Sequence, residues 1–148
     1  MKNFLLFILL SLISIGITLG QATDFTTDDC NGVTHNLFDS LDAGNVIVIA
    51  WVMPCSPCAT YSLPAYSAVQ SFSSSNPGQV RFYLADDFAN TTCATLTSWG
   101  NTNNMPLNFT FSSSDISMSD YGTNGMPKVV VVGGSDHHIY FNENDNKI

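Results

Sequence analysis

Basic residues are almost missing from this chain: four Lys and Arg face twelve Asp and Glu in 148 residues, a formal net charge of −8. Neutralising phosphates takes a basic footprint, so nucleic acid is excluded as a partner. The acidic balance names no function by itself and suits a domain that must stay soluble. No internal repeat and no long charge block divides the chain, and its length holds one domain with a single core. Long apolar runs are lacking beyond the first twenty residues. The run there, Phe4 to Ile17, is short for a membrane span, which takes about 20 residues. No cysteine lies near residue 20, which argues against a bacterial lipid anchor of the usual kind.

Residues 1–20 read instead as a signal peptide. Lys2 supplies a minimal positive start, Phe4 to Ile17 is apolar, and Thr18-Leu19-Gly20 places short residues before a cut at Gln21. An uncleaved anchor is the alternative, and only then does a membrane enter as a partner. A buried core helix fits poorly, since nothing amphipathic shows in this stretch. The domain then spans residues 21–148, where only Arg81, Lys128 and Lys147 oppose the carboxylates. Its four cysteines, Cys30, Cys55, Cys58 and Cys93, all lie in the exported portion, where disulfides persist.

Phe25 to Phe38 reads as two short extended pieces around a turn at Asp29-Cys30-Asn31-Gly32, because Asn-Gly favours hairpins. Asn45 to Trp51 is a continuous run rich in Val and Ile, the pattern of a strand covered on both faces. Ala59 to Phe72 is helix-like, with Pro64 expected to kink it. Val80 to Ala85 is the next strand. Thr91 to Trp99 is a short helix with Asn90 as N-cap, and Asn101 to Ser114 a loop holding one short extended piece. Lys128 to Val132 and His138 to Asn142 are strands around a turn at Gly133-Gly134. Early βαβ alternation with a terminal hairpin predicts an α/β layer fold with a mixed central sheet flanked by helices, preceded by an N-terminal β-hairpin.

The chemistry concentrates in Trp51-Val52-Met53-Pro54-Cys55-Ser56-Pro57-Cys58, a C-x-x-C that follows a buried strand and opens a helix. A cysteine at the first helical turn meets unpaired backbone N–H groups and the positive end of the helix dipole, which favour thiolate. Cys58, one turn deeper, is placed to resolve a mixed disulfide formed by Cys55. Pro57 suits the first turn, where its missing N–H costs nothing.

These residues resemble the thioredoxin superfamily, in layout its exported TlpA/ResA-like redoxin branch. Trp51 stands four residues before Cys55 as the family's tryptophan does, and the Ser-Pro insert resembles the Gly-Pro of thioredoxin. Tyr121-Gly122-Thr123-Asn124-Gly125-Met126-Pro127 resembles the family's Tyr-Gly-x-x-Gly-x-Pro. Phe25 to Gly32 resembles the branch's opening "F-x-x-x-D-x-x-G". The resemblance spans nearly the whole exported portion. It implies that Pro127 is a cis-proline facing the disulfide, that Met126 offers its backbone to an extended substrate, and that Trp51 and Pro57 support the site. It also implies a redox-active Cys55–Cys58 disulfide as the working group, with no other cofactor.

The chain departs from the family in several places. Ile49 stands where thioredoxin has a buried acid, and Ser56 where ResA-like proteins carry one, so no carboxylate is placed by the motif to take the proton of Cys58. Asp86 or Asp87, at the end of a strand, could serve; the plainer reading makes them two solvated loop carboxylates. Pro54 replaces the usual aromatic residue before the first cysteine. Pro64 lies six residues after Cys58 where the family proline lies five, which suggests a local bulge or a non-equivalent proline. The family's terminal helix has no counterpart before Ile148, so an open sheet face or a truncated form is expected.

Cys30 and Cys93 are open between a structural disulfide, two free buried thiols and a second redox step. The disulfide would close a loop of roughly 60 residues and add about 4 kcal/mol on the chain-entropy model. His35, His137 and His138 read as surface histidines, and adjacent histidines on a strand would face opposite ways. One C-x-x-C supplies half of a structural zinc site, so no metal is expected. Peroxiredoxins carry Thr or Ser three residues before the reactive cysteine, where Val52 stands here. Asn90-Thr91-Thr92 and Asn108-Phe109-Thr110 match glycosylation acceptors at near-chance level.

The resemblance implies a secreted or periplasmic bacterial thiol-disulfide oxidoreductase, its partners being protein thiols or disulfides and an upstream redox protein, with reduction favoured over oxidation. The rival is a thioredoxin-fold binding or adaptor module with a static disulfide. Metal delivery through the two thiolates would need a further ligand that the sequence does not locate.

Overall fold

The computed structural model describes residues 20–122 and 124–144. The signal-peptide reading of residues 1–20 therefore lies, Gly20 apart, outside the described residues.

The apolar run forms β3, Val46–Val52, and its alternation explains how it can sit at the sheet's centre. Ile47, Ile49 and Trp51 enter one core, whereas Val48, Ala50 and Val52 enter a second on the opposite face. On one side β3 pairs in parallel with β4, Val80–Asp86, from Val46↔Val80 to Val52↔Asp86. On the other it pairs antiparallel with β6, Lys128–Gly133, from Ile47↔Val132 to Trp51↔Lys128. Two edge strands complete the sheet in the order β5-β4-β3-β6-β7: β5, Thr110–Phe111, runs parallel to β4, and β7, His138–Asn144, antiparallel to β6. A separate antiparallel hairpin joins β1, Thr26–Asp28, to β2, Thr34–Asn36. The architecture is thus α/β, a mixed five-stranded sheet with helices on its faces and an N-terminal hairpin.

The first core gathers Phe25, Leu37, Leu41, Trp51, Tyr83, Phe111, Ile116 and Tyr121. The second lies beneath α2, Ser56–Ser71, and α3, Cys93–Thr102, through Ala65, Tyr66, Val69 and Leu96. The chain leaves β3 at its C-terminal end and returns as α2 along the strands. Cys55 and Cys58 consequently sit over the C-terminal edge of the sheet, where α/β folds collect functional groups.

Several expectations are corrected. Leu37 and Phe38 do not extend the hairpin; they open a short helix, α1, Leu37–Asp42. Asn36 caps it by accepting from the Asp39 N–H at 2.6 Å, and Leu37 and Leu41, one turn apart, bury the same face. The helix that follows the C-x-x-C starts at Ser56, not Ala59, because Cys55 itself serves as N-cap. It runs on across Pro64. Pro64 and Thr60, whose carbonyl loses its donor, both lie on the solvent face, where water can substitute. The next helix begins at Cys93 under a Thr92 cap, and it continues past Trp99 to Thr102. Asn90 is no cap; its N–H is held by Asp86. His137 lies in a left-handed turn (φ 54°) before β7, so the histidine pair does not share a strand.

Candidate functional site

At the end of β3 the chain stays extended through Cys55 (φ −137°, ψ 156°) and then turns into α2. Ser56 and Pro57 occupy the first turn, where proline needs no partner. Cys55 and Cys58 are joined by a disulfide with Cα atoms 5.3 Å apart. The Cys58 N–H donates to Cys55 Sγ at 3.2 Å, so a free backbone donor of the helix start points at that sulfur. No acidic residue stands in this first turn to oppose a negative charge. Access separates the two sulfurs. Cys58 is 1% exposed, whereas Cys55 is half-buried and borders solvent.

The Met126–Pro127 peptide is cis and leads directly into β6. Since Lys128 pairs with Trp51, this loop arrives at the same end of β3 from which the cysteines depart. Met126 and Cys55 pack against one core, the one that contains Cys58. Two asparagines of β7 fasten the loop. Asn142 Nδ2 donates to the Tyr121 carbonyl at 2.9 Å, and Asn144 Nδ2 to the Gly125 carbonyl at 2.8 Å. A Cβ at Gly125 would meet Asn144 Nδ2 at 2.7 Å, which accounts for glycine there. Neither asparagine was singled out from the sequence. Their role follows from the β6–β7 register, which no local motif announces.

Trp51 stands four residues before Cys55, in the first core. It is fully buried, its indole N–H donates to the Ile116 carbonyl at 3.0 Å, and its ring packs on Tyr121 at 5.2 Å. Burial pushes the Tyr121 hydroxyl far above its ordinary range. The motif itself, Met53 to Cys58, carries no charged side chain. Met53 and Phe88 are exposed, and a cleft of about 490 Å³, lined by apolar and uncharged polar residues, runs from Pro54 along Ala94, Ser98 and Trp99 of α3.

Ile49 is buried in the first core and Ser56 is exposed, so neither brings a carboxylate to the dithiol. Asp86 and Asp87 are not solvated loop residues; they are 1% and 8% exposed. Asp86 Oδ2 accepts from the N–H groups of Asn90 and Thr91 at 2.6 and 2.9 Å, while Oδ1 is buried with no hydrogen-bond partner among the described residues. Burial, and then the adjacent Asp86 charge, push the Asp87 carboxyl above its ordinary value.

Cys30 and Cys93 form a second disulfide that ties the hairpin tip to the start of α3. The histidines are less superficial than expected. His35 Nε2 meets Asp29 at 2.9 Å among the rings of Tyr83, Phe109 and Phe111. His137 Nε2 meets Asp42 at 2.8 Å and its ring stacks on Phe38. Among the described residues, no group of three His, Cys, Asp or Glu is arranged to hold a metal ion.

No protein-family profile and no curated protein matches the sequence. Solved structures do match in shape. The thioredoxin domain of a thiol-disulfide oxidoreductase from Bacteroides vulgatus superposes with a TM-score of 0.63 at 14% identity, over 86% of this chain and 89% of that one. A thiol:disulfide interchange protein from a Bacteroides species gives 0.65 at 16% identity, over 84% and 79%. A secreted disulfide oxidoreductase of Mycobacterium tuberculosis, homologous to DsbE of E. coli, gives 0.59 at 19% identity, over 83% and 84%. At such identities the likeness speaks to architecture, and that architecture is the thioredoxin fold.

Proposed function

We propose that this protein is an exported thiol-disulfide oxidoreductase that exchanges disulfides with protein substrates, acting outside the cytoplasm in the secreted or periplasmic space. The observation that carries the reading is the asymmetric dithiol: Cys55 is accessible, caps α2 and accepts a backbone N–H, while Cys58 is buried one turn behind it. Cys55 thiolate attacks a substrate disulfide, forms a mixed disulfide and expels one substrate thiolate. Cys58 then attacks Cys55 Sγ and releases the second, leaving Cys55–Cys58 oxidised and the substrate reduced by two electrons. An upstream protein dithiol restores the reduced form, and no cofactor beyond the cysteine pair takes part.

The Met126–Pro127 loop would receive the substrate as an extended segment beside Cys55, with Trp51 and Pro57 holding the frame. The uncharged rim of Met53, Pro54 and Phe88 suits substrates presented as unfolded, apolar stretches around their cysteines. Reduction is the proposed direction, because the Ser-Pro insert resembles that of reducing members.

The test is insulin-disulfide reduction with dithiothreitol as electron source, comparing the protein with Cys55→Ser. Turnover that disappears in the variant supports the reading; equal turnover in both ends it. An apolar groove of about 490 Å³ between α2 and β6–β7, lined by Val46, Ala68, Phe72, Val131 and Phe141, favours a second reading as a binding module with a static disulfide. A Cys55–Cys58 reduction potential below about −300 mV would select that reading.

A further inference from the structure

Resolution needs a base. A thiol as buried as that of Cys58 resists ionisation, since a thiolate away from water and positive charge is unfavourable. Neither Ile49 nor Ser56 can take its proton. The sheet, however, brings another carboxylate to this place. Asp86 is the last residue of β4 and the register partner of Val52, three residues before Cys55. Leu84, two residues earlier on β4, belongs to the core that holds Val52 and Cys58, and the two-residue period turns Asp86 to that same face. Cys58, in the first turn of α2, packs into that same core. Of the two Asp86 oxygens, one caps the loop before α3 and the other is buried with no partner among the described residues. A carboxylate oxygen so placed is costly unless something donates to it.

We propose that Asp86 is the proton acceptor for Cys58, an assignment that rests on reading Cys55–Cys58 as an exchange centre. In the mixed disulfide, Asp86 Oδ1 takes the proton from the Cys58 thiol. The Cys58 thiolate forms a bond to Cys55 Sγ, the bond between Cys55 and substrate breaks, and the substrate leaves as a thiolate that is protonated by solvent. Few other ionisable groups intrude. β3 and β5 carry none, and α2 adds Tyr61 and Tyr66, of which Tyr66 shares the core with Cys58 and donates its hydroxyl to the Pro106 carbonyl at 3.0 Å. The ionisable side chain of α3 is Cys93, held in its disulfide, and Lys128 shares the opposite face of β6 with Val130. Asp87 is the remaining neighbour, just past the same strand end, and its own backbone N–H donates to the Val52 carbonyl at 3.1 Å.

Stopped-flow reaction of the reduced protein with dithiobis(nitrobenzoate) separates the two steps, since attack by Cys55 releases one coloured thiolate and resolution by Cys58 the second. Asp86→Asn keeps an oxygen for the Asn90 and Thr91 N–H groups and removes the base. The expected result is an unchanged first phase, with a second phase at least about tenfold slower at pH 7 and rising about tenfold per pH unit as hydroxide takes over. Unmodified protein is expected to resolve at a nearly constant rate between pH 6 and 8. Because that profile needs no variant, it decides the matter even should Asp86→Asn fold poorly. A tenfold rise per unit in the unmodified protein, an identical second phase in Asp86→Asn, or the defect appearing in Asp87→Asn instead would each overturn the assignment. Absence of the first phase in the unmodified protein would overturn the exchange reading along with it.

Discussion

The Cys58 N–H donates to Cys55 Sγ across 3.2 Å, so one cysteine's backbone stabilises the other cysteine's sulfur. This relation belongs to the helix start and survives removal of the Cys58 side chain. Cys55 is therefore expected to ionise below the free-thiol value of about 8.5, both in the reduced protein and in Cys58→Ala. Iodoacetamide labelling rates against pH, read by mass mapping, give the value directly. Labelling should fall on Cys55, with Cys58 protected by burial. An ordinary thiol pKa at Cys55, or equal labelling of both, would show that the helix start does not activate the site.

Trp51 hangs the segment before the Met126–Pro127 loop from the central strand, through its bond to the Ile116 carbonyl and its contact with Tyr121. In Trp51→Phe a ring remains but the indole donor goes, leaving a buried carbonyl unpaired. The expected loss is about 1–3 kcal/mol of stability, seen as a lower urea midpoint with unchanged slope. An unchanged midpoint would mean that the Ile116 carbonyl finds another donor.

The central strand, helix α2 and the C-x-x-C at its start were legible because each is written locally: an apolar run in β3, a cysteine pair, a run of helix formers behind it. What escaped depends on partners remote in sequence. The helix at Leu37–Asp42 is six residues long, and its cap sits at the end of a strand, so the β-like pattern of Thr34–Asn36 hid it. Asn142 and Asn144 carry no local signal, and only the β6–β7 register sets them beside the loop. Asp86 could be named but not assigned, because its burial, with the Asn90 and Thr91 N–H groups folded onto it, is a property of the folded chain. His35 looked superficial for the same reason: its aromatic neighbours come from β4 and from residues 109–111, about 50 to 75 residues away.

Asp29 makes a prediction about acid. Burial pushes its carboxyl up, but donation from His35 and from the Val33 and Asn31 N–H groups outweighs this and holds it below its ordinary value. A carboxyl depressed in the folded state contributes stability that is fully present above the unfolded value of about 3.9 and is lost as pH falls through the folded one. Urea midpoints should therefore fall below about pH 4. Asp29→Asn is expected to be the less stable protein at pH 7 and to lose that disadvantage progressively in acid. A stability gap that stays constant from pH 7 to pH 2 would rule out this linkage.

The Cys30–Cys93 bond closes a loop with a sequence separation of 63 and ties the hairpin tip to the start of α3. The chain-entropy model assigns such a closure about 4 kcal/mol, a large share of the stability of a domain this size. Replacing both residues, Cys30→Ala with Cys93→Ala, avoids stranding a reactive thiol. The hairpin would still hold to its neighbour through the Cys30 N–H on the Thr110 carbonyl at 2.7 Å and Asn31 Nδ2 on the Asn108 carbonyl at 3.3 Å. The expected outcome is a folded protein with a markedly lower urea midpoint and undiminished exchange through Cys55 and Cys58, since the two disulfides open different helices. Measuring both quantities on one preparation separates the roles. Lost stability with full exchange identifies a clamp, whereas a folded double variant that no longer turns over would place Cys30 and Cys93 in the electron path.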